Sequence, residues 1–326
     1  MAKGKTIMKN SKKITSILLA LIIAAASAFS MAGCSGETTE TTSATNDSTE
    51  STTAQDGETQ ETTAEVEPAD LDEVAETVGK SYKHDTEHEA GYQLEMPEIG
   101  EEIAIMHTSM GDIYMRFFPE NAPNTVNNFI ELAKAGKYDN TIFHRVINDF
   151  MIQGGDFENS DGTGGKTYNG EKLEDEFCDT LLNLRGAVSM ANSGRDTNGS
   201  QFFINQAKPG KIDWASLESQ WEYMYEGLSM YHAEGLADYF SGMYGSYCYN
   251  TDVVPQEIKD LYDENGGNPT LDGAFNAVDR GHTVFAQVFE GMDVVDAIAA
   301  VETDESTNKP FDDVIVTSVE ITTYQG

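Results

Sequence analysis

The sequence predicts a mainly β fold, a closed β-barrel capped by two helices, with a helical segment inserted late in the chain. Three observations predict it. Short runs rich in β-branched and aromatic residues recur between turn residues from Ile103 onward. Only two core helices belong to that rhythm, one opened by Pro123 and one over about Asp293–Val301. A third stretch, Trp214 to about Gly266, breaks the rhythm with apolar residues at three- and four-residue steps. Many short strands with so few core helices suggest a barrel.

The chain opens on an export signal. Lys3, Lys5, Lys9, Lys12 and Lys13 precede an apolar stretch from Ile14 to Phe29, and Met31-Ala32-Gly33-Cys34 follows. Small residues before a lone cysteine resemble a bacterial lipobox, with Met31 where leucine is usual; Cys34 would be acylated and become the mature N-terminus. The alternative is an uncleaved anchor, since Ile14–Ala32 approaches spanning length. Both readings place the rest outside the cytoplasm, on the cell membrane. Residues 34–68 are mostly Thr, Ser and Glu, cannot bury a core, and read as a solvated tether. In residues 69–102, Tyr92, Leu94 and Met96 alternate as an extended approach segment.

Charge excludes some partners. The whole chain carries 20 basic and 56 acidic residues; the signal holds five of the basic ones and no acidic one, leaving 15 against 56, or −41. Nucleic acid is a poor partner for such a body. Cys178 and Cys248 have no metal-type spacing; a disulfide and two free thiols both remain open.

The folded domain is read at 103–326, with the insertion at about 208–267. Ile103–Met106 and Ile113–Phe117 flank Ser109-Met110-Gly111-Asp112 as a first hairpin. Pro123 opens a helix with Val126, Phe129, Ile130 and Ala133 on one stripe, and Gly136 stops it. Ala187–Met190, Phe202–Asn205 and Thr283–Phe289 read as strands, Val294, Ile298 and Val301 align on the second helix, and Val314–Ile321 alternates as the last strand. Within the insertion Asp213 is an N-cap, Pro255 starts a helix and Gly266-Gly267 ends it. Its aromatic stripe reads as a packing face rather than a ligand cage.

The most informative run is Phe143-His144-Arg145-Val146-Ile147, a turn at Asn148-Asp149, then Phe150-Met151-Ile152-Gln153-Gly154-Gly155-Asp156-Phe157. Two strands this apolar face a core, yet they carry an arginine and a glutamine, which is costly unless a fixed fork of donors is needed. Alone, Arg145 reads as an ion-pair residue and Phe150 and Phe203 as plain core. With Gly162-Thr163-Gly164-Gly165, Met190-Ala191-Asn192-Ser193-Gly194 and Asn198-Gly199-Ser200-Gln201-Phe202-Phe203-Ile204, the chain from about Ile103 to Ile321 resembles the cyclophilins, peptidyl-prolyl cis–trans isomerases. The resemblance implies an eight-stranded antiparallel barrel with two capping helices. The glycine-rich runs lack the strand–loop–helix order with a following lysine that a phosphate cradle needs, so they read as turns. Asp175-Glu176 reads as solvated, and His107 and His144 as ordinary strand residues.

The resemblance also assigns roles. Arg145 is implied as the catalytic donor and Gln153 as the polar neighbour that orients it. Phe150, Met151 and Phe203 would line a proline pocket, with Leu271 and His282 as its far wall. Asn192 and the backbone of Ala191 and Ser193 would hold the substrate chain, with Gln201 and Gly162 at the groove's edge. Rotation about a peptide bond makes no covalent bond, so neither cofactor nor metal is required. Proline-containing segments of exported proteins are the expected partners, and a monomer the expected state. Thr270 stands where the family often has tryptophan, which weakens the case for cyclosporin binding. The extra residues Ala274–Gly281 are expected to displace the wall carrying His282; Ala286, for a usual glycine, is minor. The insertion enters between Phe203 and Leu271 and is expected to border the groove. The rival readings are a cyclophilin-like peptide-binding module without turnover, and a solute-capturing lipoprotein, whose two α/β lobes this strand-rich pattern does not supply.

Overall fold

Alternation dictates the sheet. In this computed structural model, which describes residues 66–326, nine strands form one antiparallel sheet: β1 (Glu102–Thr108), β2 (Gly111–Phe117), β3 (Thr141–Ile142), β4 (Arg145–Ile147), β5 (Met151–Gly154), β6 (Ala187–Met190), β7 (Phe202–Asn205), β8 (Val284–Glu290) and β9 (Ile315–Thr323). The signal read at 1–33, Cys34 and the tether up to residue 65 lie outside the described residues. The strand order is β3-β9-β1-β2-β8-β6-β7-β5-β4. Its two ends, β3 and β4, are consecutive in the chain and separated by Phe143 and His144 alone. The sheet therefore curls until it returns to the stretch on which it began. Counting residues 141–147 once gives the eight strands the resemblance implied.

Every second side chain points inward. Val146, Ile152, Ile204, Val188 and Ala286 face one another across five strands, all buried in the main core. Two helices close that core, α2 (Pro123–Lys134), with proline in its first turn, and α6 (Met292–Ala299). Phe129 of α2 stands at its centre, its ring 4.8–5.8 Å from those of Phe117, Tyr138, Phe202 and Phe285.

The insertion is α3 (Trp214–Ala233), capped by Asp213 as expected, α4 (Ala237–Tyr244) and α5 (Gln256–Asn265). Its stripe does pack: Trp221, Leu228 and Phe240 bury against Ala277 and Val278, and Tyr262 and Ile258 against Leu182 and Leu184. Leu236, Tyr239 and Met243 stay exposed on the outer side of α4. No described helix is long and apolar enough to cross a membrane.

The approach segment departs from its extended reading. Leu71–Val78 is a helix, α1, because Asp70 caps it by accepting from the Asp72 N–H (3.0 Å), and Gly79 at φ +73° supplies the left-handed exit. Val74 and Val78, one turn apart, bury against the insertion. Tyr92–Leu94 is a 3₁₀ turn entered through Gly91 at φ +90°. Tyr92 and Gln93 are consecutive yet both buried, which a strand over an exposed face would not allow. Gln93 earns its place by donating to the Leu182 carbonyl (3.0 Å) and to Gln287 (2.9 Å). Cys178 and Cys248 are free thiols in separate apolar clusters.

Candidate active site

The alternation that sends Val146, Ile152 and Ile204 inward sends Arg145, Gln153 and Phe203 outward, and the register sets them side by side: Arg145 opposite Gln153, Gln153 opposite Phe203. The β4–β5 turn is fixed by Asp149 at φ +58°, whose N–H donates to Asn148 (3.0 Å) and Gln206 (2.8 Å). Asn268, at the end of the insertion, donates to the Phe150 carbonyl (3.1 Å).

Arg145 is half-buried, and burial draws its pKa below the ordinary arginine value. A guanidinium keeps its charge in proteins all the same. Its Nη1 donates to Gln153 Oε1 (3.4 Å), Gln153 Nε2 donates to Gln201 Oε1 (3.0 Å), and Gln201 Nε2 donates to the carbonyls of Gly162 (2.9 Å) and Gly164 (2.6 Å). The chain of amides has one sense, so each carbonyl faces the donor that needs it. Asp156 anchors the far end. Its buried carboxylate accepts backbone N–H bonds from Glu158, Asn159, Gly162 and Gly164. Burial alone would raise its pKa, and those four donors outweigh it and hold the group ionised. Gly162, at φ +90°, passes so close to His144 that a Cβ there would lie 3.1 Å from the ring.

Beside this polar row lies an apolar cluster of Met151, Phe203 and Leu271, with Ile147, Phe150 and Ala191 packed against it. Ile147 was missed in the sequence, although its place at the end of the hairpin strand could have suggested it. The His282 ring stands edge-on to Phe203 with centroids 5.1 Å apart, and its Nδ1–H donates to the Met190 carbonyl (2.8 Å). Burial lowers its pKa, which keeps the imidazole neutral. The 274–281 excursion leaves His282 joined to Leu271. The His282 N–H bonds to the Leu271 carbonyl (2.9 Å), and Gly281 packs backbone to backbone on Gly273, so residues 274–281 leave and return at one point. Asp272 holds the same wall from behind, accepting from Tyr262 Oη (2.6 Å) and from the Asn183 backbone (2.8 Å) and side chain (3.0 Å).

The remaining predicted residues converge on the same face. The Ala191 N–H donates to the Gln201 carbonyl (3.0 Å). The exposed Ser193 is tied through its N–H to Thr197 Oγ1 (2.9 Å). Asn192 Nδ2 donates to the Gly281 carbonyl (2.9 Å), which joins the groove loop to the 274–281 segment.

A cationic fork beside an apolar cluster, both in the sequence blocks that suggested them, invites comparison with known proteins. Residues 103–230 and 252–321 match the family described as cyclophilin type peptidyl-prolyl cis-trans isomerase. The chain belongs to the cyclophilin family. The residues between the two matched stretches, 231–251, fall inside the helical insertion, from the end of α3 through α4. A putative peptidyl-prolyl cis-trans isomerase of Staphylococcus aureus is 42% identical over 222 residues, covering 68% of this chain and 92% of that protein. A putative bifunctional phosphatase/peptidyl-prolyl cis-trans isomerase of Streptococcus pyogenes is 43% identical over 216 residues, 66% of this chain. This cyclophilin spans only 37% of that longer protein. Among solved structures, a cyclophilin-type isomerase of Cryptosporidium parvum aligns with TM-score 0.46 at 23% identity, over 69% of this chain and 99% of its own.

Proposed function

We propose that this cyclophilin speeds cis–trans exchange of Xaa-Pro bonds in exported polypeptides, at the outer face of a membrane to which an acylated Cys34 anchors it. The observation that carries the activity is the juxtaposition of the Arg145 fork, bonded to Gln153, with the apolar cluster of Met151, Phe203 and Leu271, which we read as the proline slot. Rotation about a peptide bond faces a barrier of roughly 18–20 kcal/mol because the nitrogen lone pair is delocalised into the carbonyl. In the twisted state that lone pair returns to nitrogen and accepts a hydrogen bond. A donor that is held in place and permanently charged therefore favours the twisted state over both planar ones. The apolar slot holds the pyrrolidine ring, and the Asn192–Ser193 edge holds the chain that rotates against it. One charge-assisted hydrogen bond contributes about 1.5–3 kcal/mol, or roughly ten- to hundredfold in rate; the rest comes from removing water and pre-shaping the site.

The export half of the proposal is supported by the sequence: the lysine-rich start, the apolar run and the lone Cys34 after small residues. Line broadening or exchange spectroscopy by NMR on an Xaa-Pro peptide tests the activity. The protein accelerates exchange, and Arg145→Ala loses roughly ten- to hundredfold. Equal rates in the two proteins sink the mechanism, and binding without exchange marks a docking module. Intact-mass spectrometry of the membrane-extracted protein tests the anchor: a mature chain that begins at an acylated Cys34 is expected, and a chain that keeps residues 1–33 with an unmodified Cys34 refutes lipidation at that residue.

A further inference from the structure

Residues 69–82 lie N-terminal to the family-matched stretch, which begins at 103, yet they reach the edge of the groove. The contact is made by Arg195, three residues after Asn192. Its Nη1 donates to the Val78 carbonyl, its Nη2 to the Gly79 carbonyl (2.7 Å), and its Nε pairs with the buried carboxylate of Asp279 (2.7 Å). One planar group thus joins the last turn of α1, the loop of residues 192–197 and the 274–281 segment. Gly79 is required twice there: at φ +73°, and because a Cβ would stand 2.9 Å from both Nη1 and Nη2 of the guanidinium. Around the same point Lys80 Nζ donates to the carbonyls of Ala274 (3.2 Å) and Asn276, and the Ser81 N–H to Asp279 (3.4 Å). Arg280 works from the other side. It lies against Gly194, where a Cβ would be 2.8 Å from its Nη1, and donates to the Ser241 carbonyl of α4 (3.4 Å).

We propose that Arg195 is a positioning residue for the peptide groove. By fastening α1 to the loop that carries Asn192 and Ser193, it makes the N-terminal segment part of the groove's wall, beyond the proline slot. The proposal rests on the isomerase reading of the groove and adds to it a determinant for longer substrates. A peptide that reaches past the slot meets a loop whose order depends on this fork, whereas a proline dipeptide does not. Apparent affinity scales with the fraction of molecules holding the competent loop. If loss of the fork leaves about one fifth ordered, affinity for a long peptide falls about fivefold.

The test compares the full protein with Arg195→Ala and Arg195→Lys, using NMR titration and exchange with an eight-residue peptide holding one central Xaa-Pro bond, and with an Ala-Pro dipeptide. For Arg195→Ala, Kd and KM for the long peptide rise about fivefold while kcat stays within about twofold, and dipeptide binding stays at the parent value. Arg195→Lys keeps the pairing with Asp279 but lacks the fork, and gives an intermediate rise. Amide exchange quickens at 192–197 and 71–79 in the alanine variant. A protein that merely folded less well would lose active fraction at constant KM. The proposal is overturned if amide protection drops while Kd for the long peptide stays put, or if both peptides weaken together. Titration reads the outcome even in a parent that binds without turnover, so failure of the isomerase reading would be seen separately.

Discussion

Replacing Gln201 with leucine probes whether the polar row acts as a relay. Gln201 accepts from Gln153 Nε2 (3.0 Å) and donates to the Gly162 and Gly164 carbonyls, so it fixes which way the Gln153 amide faces. Without it, Gln153 can turn its amino group toward Arg145, where two donors would meet. The two glycine carbonyls lie at the surface or partly so and regain water, so their loss contributes little. What remains is one amide–amide bond of about 0.5–1.5 kcal/mol, or a roughly two- to tenfold fall in kcat/KM, smaller than for Arg145→Ala. The assay is NMR exchange on an Xaa-Pro peptide over a double-mutant cycle with Gln153→Ala. If Gln201 acts through Gln153, the double variant matches Gln153→Ala alone. Effects that multiply would refute the relay and make Gln201 an independent substrate contact.

Burial pushes the Asp272 carboxyl up to about 7, above its unfolded value of 3.8, so the folded state holds a proton that the unfolded chain has lost. The stability this gives is complete below about pH 4 and drains away as pH rises to about 7. Relative to Asp272→Asn, the parent is therefore more stable at pH 5 than at pH 8 by urea midpoint, and a difference independent of pH refutes the assignment. Gly155→Ala would place a Cβ 2.6 Å from the Ser200 carbonyl oxygen at φ +84°, costing about 1–3 kcal/mol, seen as a melting temperature lower by roughly 3–10 °C; an unaltered melt contradicts the packing. Cys178 and Cys248 stay unalkylated until denaturant is added, burial having raised the Cys248 thiol to about 12, and melting is indifferent to reductant. Isolation of a Cys178–Cys248 disulfide from the folded protein would refute this.

Strands were legible wherever one face is buried, because a period of two leaves little freedom: Val146, Ile152 and Ile204 announce their neighbours Arg145, Gln153 and Phe203. The site could be read for the same reason, since a cation and an amide on apolar strands conflict with their surroundings. Two things escaped. His282 is placed by bonds to Leu271 and Met190 across the 274–281 excursion, and segment length says nothing of where a loop bulges. Helix α1 has its signals, Asp70, Val74, Val78 and Gly79, but two buried valines in a polar stretch show no face until Trp221 and Phe240 arrive from far along the chain.

Because the sheet starts and finishes on residues 141–147, Arg145 sits at the seam. One side of that stretch is secured by β5, its immediate successor in the chain; the other awaits β9 at the far terminus, through the Thr141 and Ile142 pairs and the Phe143 bond to Val314. During synthesis the guanidinium can be coded, translated and paired with Gln153 long before its strand is clamped from both sides. The stretch that carries Arg145 is thus held on both sides only once β9 is present, and a chain cut before Ile315 leaves it secured by β5 alone.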